Sequence, residues 1–351
     1  MQRILVTGGA GFIGSAIVRY LIRQQGCQVV NVDKLTYAAD LSRLDSVAAD
    51  NHYTFENADI CDAAAMVQIF KKHQPTAVIH AAAETHVDRS IDAPACFTQT
   101  NIIGTQTLLD AALTYCNSLP GTESQLSTFP ISNLPEDSPT PTKSAFRFLH
   151  VSTDEVYGDL GNDEAATEDS PYLPSSPYAA SKAAADHLVR AWARTYGLPI
   201  LITHSSNNYG PQQNEEKLIP RVISKALAGE FIPVFGSGQQ VRDWLHVEDN
   251  AAAIIQVLLK GQIGESYNIG ANNEQSNVEM QQICTLLDQH MPEKRTGIDS
   301  FSDLIEHVDD RPGHDSRYAL NCNKIRNELG WKPKTDFTIG LRDVVLSKFE
   351  S

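Results

Sequence analysis

The chain has 351 residues, of which 42% are hydrophobic and 20% charged, enough to bury a full core in one large domain or two closely joined ones. Its formal net charge of -15 argues against nucleic acid as a partner, because proteins that bind it carry basic faces that displace phosphate counterions. No apolar run approaches the roughly 20 residues that span a bilayer, and no basic-then-apolar leader precedes the first predicted strand. We therefore expect no membrane partner and a cytoplasmic location.

The cysteines and histidines show no metal-binding pattern. The six cysteines are scattered without a C-x-x-C pair, and the 11 histidines include no H-x-x-x-H spacing. Metal sites usually need ligands at such short spacings, so we predict no bound metal and interpret the thiols as buried or incidental.

Over the first 200 residues, short β-branched runs alternate with longer amphipathic segments, which is typical of βαβ units around a parallel sheet. Strands are predicted at Arg3–Thr7, Gln28–Asp33, Tyr53–Ala58, Ala77–Ala82, Arg147–Ser152 and Ile200–Ser205. Helices are predicted at Gly11–Gln25, Asp62–His73, Cys96–Tyr115 and Pro177–Tyr196. The alternation predicts an α/β fold with a doubly wound parallel sheet, Rossmann-like in type.

Two changes of composition interrupt this pattern. Asn117–Lys143 is rich in serine, proline and threonine and is interpreted as an exposed excursion without a chemical role. After Pro211 the alternation loosens, with helices predicted at Leu218–Ala228, Val247–Leu259 and Val278–His290. We therefore predict an NAD-binding domain at 1–208, rejoined by a returning segment near 241–262, and a smaller mixed α/β substrate domain at 209–240 and 263–351.

Gly8, Gly9, Gly11 and Gly14 follow the first predicted strand and open the first predicted helix. In that context glycines allow a tight turn, a close approach of the backbone to a pyrophosphate and close helix packing, while the helix N-terminus offers free N–H groups to phosphates. Asp33 ends the second strand, where a carboxylate can bind an adenosine ribose and repel a 2′-phosphate. NAD is thus favoured over NADP. The alternative is a turn used only for packing.

Tyr178 and Lys182 have the spacing Y-x-x-x-K in a predicted helix, one turn apart on the same face, where the ammonium can lower the phenol pKa and let tyrosinate accept a proton. Thr153, at the end of the fifth strand, can bind the same substrate hydroxyl. The spacing alone also occurs on surface helices, but its agreement with the nucleotide turn favours a redox site. Asp154 and Glu155 come next and can both point into a cleft, although a solvated acidic turn is the common alternative.

A family resemblance joins these motifs. Thr153, Tyr178 and Lys182 resemble the Ser/Thr-Tyr-Lys set of the short-chain dehydrogenase/reductase superfamily, and Gly8-x-x-Gly11-x-x-Gly14 resembles the turn of its extended branch. Residues 151–158 (VSTDEVYG) resemble the signature of the nucleotide-sugar 4,6-dehydratases, most closely those that act on dTDP-glucose. Further stretches that carry this resemblance are 7–15, 33–38, 84–90, 100–102, 206–211, 216–220, 241–245 and 310–315.

The resemblance implies a hydro-lyase that converts dTDP-glucose to a 4-keto-6-deoxy sugar with an NAD recycled in each turnover. Tyr178 would take the proton of the sugar 4-hydroxyl as hydride leaves C4, with Thr153 and Lys182 orienting and tuning the phenol. Glu155 would remove the C5 proton, and Asp154 would donate a proton to the departing 6-hydroxyl. Asp154 then needs a raised pKa, which burial and the Glu155 carboxylate would supply.

The carboxyl ends of the third and fourth strands, at Asp59, Ile60 and Ala81–Ala83, are also expected beside the cofactor. With the resemblance, the cofactor site would comprise Gly8, Gly11, Phe12, Ile13, Gly14, Asp33, Lys34, Leu35, Thr36, Asp59, Ile60, Ala81, Ala82, Ala83, Thr100, Tyr178, Lys182 and Asn208. The nucleotide-sugar site would comprise Thr85, Thr153, Asn207, Lys217, Leu218, Pro233, Val234, Phe235, Arg242, Asn277, Asp310, Arg311, Pro312, Gly313 and His314.

Within the second set, Lys217, Arg242 and Arg311 would supply the cations that a diphosphate needs on an acidic protein, and Pro233–Phe235 would lie against the base. Three positions depart from the family pattern: Phe235 and His246 replace commoner tyrosines, and Thr85 replaces serine. Because Phe235 would contact the base, it affects the expected selectivity for thymidine over uridine.

Two other functions stay open at this point. A UDP-sugar 4-epimerase or decarboxylase of the same superfamily would share Thr153, Tyr178 and Lys182 but would not need the Asp154-Glu155 pair. A non-catalytic NAD-binding scaffold is the second, because fold does not imply function. By resemblance we also expect a homodimer formed through Cys96–Tyr115 and Pro177–Tyr196.

Overall fold

The computed structural model describes residues 2–121, 141–161, 165–276, 278–291 and 298–349. Its strands are β1 (Arg3–Thr7), β2 (Gln28–Asp33), β3 (Tyr53–Asn57), β4 (Ala77–His80), β5 (Arg147–Thr153), β6 (Ile200–Ser205), β7 (Asn207–Tyr209), β8 (Ile232–Phe235), β9 (Arg242–His246), β10 (Ser266–Ile269), β11 (Glu274–Gln275) and β12 (Ile305–Val308). Its α-helices are α1 (Phe12–Gln25), α2 (Asp45–Ala48), α3 (Ala63–His73), α4 (Val87–Asp92), α5 (Pro94–Phe97), α6 (Thr105–Ser118), α7 (Pro177–Tyr196), α8 (Leu218–Ala228), α9 (Val247–Lys260), α10 (Val278–His290), α11 (Asn323–Leu329) and α12 (Phe337–Leu346). Most of the predicted excursion Asn117–Lys143, namely residues 122–140, lies outside the described residues.

Seven strands form one parallel sheet in the order β10-β6-β5-β4-β1-β2-β3. Every neighbouring pair in it is parallel. All six predicted strands are present, and the predicted doubly wound α/β fold is confirmed. The strand order reverses beside β1, which pairs with β2 on one side and β4 on the other. At such a switch point the loops diverge and leave a crevice at the carboxyl ends of the strands, where ligands bind.

Helices cover both faces of this sheet. Ile17 of α1 and Ile254 of α9 belong to the core of one face, while Phe70 of α3, Leu108 of α6 and Val189 of α7 belong to the core of the other. Because both faces are buried, strand β5 has no exposed residue, and its polar side chains are buried along with its apolar ones. None of the described helices is long and apolar enough to cross a membrane.

The later part of the chain contributes to two regions. Strand β10 pairs with β6 in the large sheet, so the sheet takes in residues beyond the predicted return near 241–262. In contrast, β9 joins β7 and β11 in a separate three-stranded sheet, and β8 pairs with β12. These strands and α8, α10 and α12 enclose a third core. The division into two domains stays a prediction, with the return extended to β10.

The predicted helix Cys96–Tyr115 is interrupted. Its first turn is α5, and a π-helical turn at Thr98–Gly104 precedes α6. Asn101, within the π-helical turn, is buried and binds both backbone groups of Glu84, and it donates to Ser181 Oγ of α7 at 2.8 Å. Such π-turns often mark functional positions, and here the turn ties the loop after β4 to α7.

The turn between β1 and α1 depends on glycine. Gly8 has a positive φ of 73°, and a Cβ there would lie 2.7 Å from the Ala82 backbone of the loop after β4. At Gly14, a Cβ would lie 2.7 Å from the Gly8 carbonyl carbon. Both distances are shorter than real Cβ contacts, so the turn and the neighbouring loop can be this close only because these residues lack side chains.

We predict that Gly8→Ala destabilises the protein far more than Gly26→Ala. Gly26 has a similar φ of 60° but nothing lies within 4 Å of its Cβ position, so alanine there adds only left-handed backbone strain of about 1 kcal/mol. Gly8→Ala adds the overlap with Ala82, which should cost a further ~1–3 kcal/mol. Urea unfolding of both variants measures the difference, and equal losses would show that the close approach to Ala82 is unimportant.

Candidate active site

Two adjoining cavities follow the carboxyl edge of the large sheet. The first extends from the glycine turn past the ends of β2 and β3 to Tyr178. The second lies between the ends of α4 and α8 and the strands β8 and β9. Residues that line both are Thr85, Glu155, Asn207, Glu216, Lys217, Leu218 and Trp244. One extended ligand can therefore reach from the second cavity to the residues of the first.

The first cavity gathers most of the predicted cofactor residues. Those that line it are Gly8, Gly11, Phe12, Ile13, Gly14, Asp33, Lys34, Thr36, Asp59, Ile60, Ala81, Ala82, Ala83, Thr100, Tyr178 and Asn208. The structure does not bring Leu35 and Lys182 to its wall: Leu35 is exposed at the surface, and Lys182 is buried behind it. Gly9 is not in the wall either, since its Cβ position faces the Asn31 side chain.

The N-terminus of α1 is suited to an anion. No side chain caps it, and its first turn contains no acidic residue, so its free N–H groups remain available to a phosphate. Asp33 at the end of β2 accepts from Ala10 N at 3.0 Å and from Leu35 N at 2.8 Å. These bonds fix the carboxylate on the cavity wall, and each oxygen keeps a lone pair for a ligand hydroxyl.

Arg43 connects two of the segments that surround this cavity. Its buried guanidinium donates to Ala10 O at 3.2 Å and Ala38 O at 3.0 Å. It also donates to Gln212 O at 3.0 Å and to Asn214 Oδ1 at 3.2 Å in the loop before α8. Arg43 therefore joins the glycine turn to a loop of the second region, and sequence patterns gave no signal for it.

The predicted nucleotide-sugar residues are divided between the cavities. Thr85, Asn207, Lys217 and Leu218 line both, Thr153 lines the first, and Pro233, Phe235, Arg242, Arg311 and His314 line the second. Four others are not in either wall. Val234 points into the third core because side chains alternate along β8, whereas Asp310, Pro312 and Gly313 lie in an exposed turn. Asn277 lies outside the described residues.

The acidic pair is built by the end of β5. A 3-10 turn at Asp154–Tyr157 follows Thr153 directly, and both acids line the first cavity. Asp154 is 4% exposed, and Thr153 Oγ1 donates to its Oδ1 at 3.1 Å. Burial raises the pKa of Asp154 to about 8, and the Glu155 carboxylate adds to the rise. Asp154 is therefore protonated at neutral pH, which is not the state of a solvated acidic turn.

Glu155 differs from its neighbour. Burial raises its pKa, but the cations Arg242, Lys217 and Arg311 oppose the rise. Two adjacent carboxyl groups thus experience different surroundings, one apolar and one facing cations. Such a difference separates a proton donor from a proton acceptor.

Tyr178 lies at the start of α7, where Ser176 caps the helix by accepting from Ala179 N at 3.0 Å. The phenol is 8% exposed. Its pKa is raised by burial and then by Glu155, while a hydrogen bond with Thr153 lowers it. The sequence predicted that Lys182 lowers this pKa. The net shift in the structure is instead upward, because burial and the nearby carboxylates outweigh the favourable contacts.

Lys182 is held behind Tyr178 by the backbone and side chain of β5. Its Nζ donates to Val151 O at 2.8 Å and lies 3.3 Å from His150 Nε2. Burial lowers the pKa of Lys182 to about 8, and Asp186 opposes this change. Neither His150 nor Asp186 was identified from the sequence, although Asp186 is four residues after Lys182, one turn along the same helix face.

Three cations serve the second cavity. Lys217 Nζ donates to Thr85 O at 2.9 Å, Arg242 donates to Asp315 O at 2.9 Å, and Arg311 pairs with Asp88 at 2.9 Å. These contacts hold partly buried positive groups along one wall of an otherwise acidic protein. An anionic ligand with several oxygens is the complementary chemistry.

Tyr318 is a second residue that the sequence patterns missed. It lines the second cavity and donates to Asp315 Oδ2 at 2.7 Å. The Arg242 guanidinium lies over its ring, 4.2 Å from the centroid, an arrangement that stabilises a cation. Tyr318 therefore fixes the orientation of Arg242. In the described parts of the chain, no group of three or more His, Cys, Asp or Glu side chains could hold a metal ion.

Comparison with known proteins places this site in a family. Residues 5–344 match the family described as GDP-mannose 4,6 dehydratase. A dTDP-glucose 4,6-dehydratase from Neisseria meningitidis serogroup B is 53% identical, and the match covers 98% of this chain and 92% of the relative. The dTDP-glucose 4,6-dehydratase from Haemophilus influenzae is also 53% identical, with 98% and 97% covered.

Solved structures agree. A dTDP-glucose 4,6-dehydratase from Streptomyces venezuelae with NAD bound is 40% identical, covers 100% of this chain and 98% of its own, and superimposes with a TM-score of 0.85. The identity, the coverage and the acid pair beside Tyr178 agree, and the chain belongs to the GDP-mannose 4,6 dehydratase family and, within it, to the dTDP-glucose 4,6-dehydratases.

Proposed function

We propose that this chain is an NAD-dependent hydro-lyase that converts dTDP-glucose to dTDP-4-keto-6-deoxyglucose and water. The observation that carries the proposal is that Asp154 and Glu155 lie on the same cavity wall as Tyr178, with the Thr153 hydroxyl bound to both Asp154 and the phenol. The curated relatives with about half their residues identical bear the same activity in their names. Oxidation chemistry and elimination chemistry thus share one pocket.

The first cavity fits NAD. Gly8 and Gly14 leave no room for a Cβ beside the turn, the uncapped end of α1 suits a pyrophosphate, and Asp33 suits an unphosphorylated ribose. Alanines Ala81–Ala83 leave space at the end of β4. When bound, NAD supplies a hydride acceptor for C4 of the sugar and a hydride donor for C6, so no net redox change occurs.

Tyr178 acts first on the sugar. Its phenolate accepts the proton of the 4-hydroxyl, and Thr153 hydrogen-bonds the same hydroxyl. Because burial opposes ionisation of the phenol, a cation close to it is needed, and Lys182 one turn along α7 has that role. The resulting 4-ketone acidifies the proton on C5.

Asp154 and Glu155 then remove water across C5 and C6. Glu155 takes the C5 proton, and Asp154, which is protonated at neutral pH with a pKa of about 8, donates to the 6-hydroxyl as its bond to C6 breaks. The proton on Glu155 later returns to C5 when C6 is reduced. A protonated Asp154 beside a Glu155 carboxyl that faces three cations matches the proton donor and proton acceptor that the elimination requires.

The second cavity binds the nucleotide. Lys217, Arg242 and Arg311 bind the diphosphate, and Pro233 and Phe235 of β8 lie against the thymine base. Thr85, Asn207, Leu218 and His314 also line the cavities and complete the proposed site. Phe235 offers a ring without a hydroxyl, so it can pack against either thymine or uracil.

The alternatives are less well supported. A 4-epimerase or decarboxylase needs Thr153, Tyr178 and Lys182 but gives no task to a protonated Asp154. A non-catalytic scaffold needs neither the Thr153, Tyr178 and Lys182 set nor a protonated Asp154.

We further propose a homodimer through α6 and α7 with the preceding turns, where Ile103 and Tyr196 are exposed apolar side chains. We also propose a cytoplasmic location, beside the nucleotide-linked substrate.

The reaction can be tested with dTDP-glucose in deuterated water without added reductant. We expect loss of one water and one deuterium at C5 of the product, because the Glu155 proton exchanges with solvent before it returns. Mass spectrometry and NMR give both readouts, and UDP-glucose run in parallel measures the selectivity of the base pocket. A 4-epimer that retains its 6-hydroxyl, or no reaction of either sugar, would overturn the proposal.

Asp154→Asn and Glu155→Gln should separate the two acid roles. Each should lower the rate of water loss about 10²–10⁴-fold, because each removes one proton transfer. Only Asp154→Asn should still place deuterium at C5 of recovered dTDP-glucose, since Glu155 can still exchange the C5 proton while elimination is blocked. NMR of the recovered substrate distinguishes them. Deuterium in the Glu155→Gln sample, or none in the Asp154→Asn sample, would reverse or refute the assignment.

A further inference from the structure

Asp186 is a fully buried carboxylate to which the proposed reaction gives no task. It is 0% exposed, and its Oδ2 accepts from Ser152 Oγ at 2.9 Å and from Tyr172 OH at 3.0 Å, with His204 Nε2 also 3.0 Å away. Its Oδ1 lies 3.2 Å from His150 Nε2. An ionised group in an apolar interior is costly unless it is fully paired. These contacts keep Asp186 ionised, and its pKa is well below the ordinary value.

The same imidazole nitrogen leads to the active site. His150 Nε2 lies 3.2 Å from Asp186 Oδ1 on one side and 3.3 Å from Lys182 Nζ on the other. Lys182 and Asp186 are one turn apart on α7, and Lys182 is anchored on the Val151 carbonyl of β5. A buried ammonium and a buried carboxylate thus approach the same ring nitrogen from two sides.

The surroundings supply no substitute for this carboxylate. The other titratable or charged side chains that face the cluster are His80 of β4, His204 of β6, Tyr157, Glu168 and Tyr172 before α7, and His187 and Arg190 of α7. The histidines and tyrosines can be neutral, and Arg190 is itself a cation. Glu168 accepts from Asn268 N at 2.9 Å and is not among the charges that shift the pKa of Lys182. Among the described residues, Asp186 is the group that counteracts the effect of burial on Lys182.

We propose that Asp186 is a positioning residue for proton transfer at Tyr178: the charge of its carboxylate keeps the Lys182 amine protonated, and His150, whose Nε2 lies between the two groups, holds that amine in place one helical turn from the phenol. The inference rests on the proposed function, because Lys182 has its role in the oxidation of C4. It assigns a task to two residues, Asp186 and His150, that are fully buried and do not line either cavity.

The expected pH effect has a definite sign. Burial lowers the pKa of Lys182 to about 8, so the ammonium is lost as pH rises through that value. Without the Asp186 charge the pKa falls further, and Lys182 is neutral over more of the neutral range. The rate of any step that needs tyrosinate then declines from a lower pH onward.

The measurement uses the Asp154→Asn background, because Asp154 itself titrates near the same pH. The rate of deuterium exchange at C5 of dTDP-glucose is followed against pH in this variant and in the double variant with Asp186→Asn. The alkaline limb of this profile is the fall in rate at high pH. We expect its midpoint to lie about one pH unit or more lower in the double variant. Tyr172→Phe in the same background is the matched control: it removes one hydrogen bond to Asp186 and leaves the charge, so its limb should stay in place.

A limb that does not move in a folded Asp186→Asn variant, or that moves equally in Tyr172→Phe, would mean a merely structural role and overturn the proposal. If Asp186→Asn does not fold, His150→Gln is the deciding variant. It keeps the Asp186 charge and removes the imidazole ring, so kcat should fall while the alkaline limb of the pH profile stays in place. An alkaline limb that moves in His150→Gln would show that the charge of Asp186 is not the cause.

Failure of this inference is distinct from failure of the proposed function. No C5 exchange in the Asp154→Asn background itself would count against the proposed function, whereas exchange with an unmoved pH profile in the double variant would count against the role of Asp186.

Discussion

The removal of ionisable groups from water at the end of β5 is the constraint on which the site depends. Asp154, Tyr178 and Lys182 are all at most 8% exposed, and burial is the largest cause of the pKa shift in each. It favours the protonated acid, the neutral phenol and the neutral amine. Of these three states, the reaction starts only from the protonated acid. The other two must be opposed by nearby charges, so the surrounding polar network is a requirement of the chemistry.

Topology decides where this burial can occur. Parallel strands end at one edge, and the reversal of strand order beside β1 opens a crevice there. The glycine turn allows the loop after β4 to approach the start of α1, and Asn101 connects that loop to α7. The smaller region closes the crevice with Arg242, Lys217 and Tyr318. Redox residues and phosphate-binding residues come from different parts of the chain for this reason.

The sequence was sufficient for residues whose role is local. The glycine turn, the Y-x-x-x-K spacing and the six strands follow from short-range patterns, and the structure has all of them. It was insufficient where a contact joins distant segments. In the sequence Asp186 is one of many acidic residues, and only the fold shows that β5 places His150 beside it. The upward shift of the Tyr178 pKa depends on burial of the phenol, which residue spacing does not predict. The interrupted helix before α6 and the positions of Val234 and Gly313 outside the cavity walls likewise depend on packing against other elements.

Arg43 has a consequence for the lifetime of the bound cofactor. Its guanidinium makes four hydrogen bonds, one to Ala10 in the glycine turn, one to Ala38 in the loop after β2 and two to the loop at 212–214, each worth roughly 0.5–1.5 kcal/mol net. Moving the loop at 212–214 away from the other two segments requires breaking the last two bonds, which slows escape of a bound dinucleotide. A cofactor that ends each cycle in its starting form has no need to leave. We therefore expect the protein to keep its dinucleotide through successive turnovers, unlike a dehydrogenase that releases its cofactor after each one.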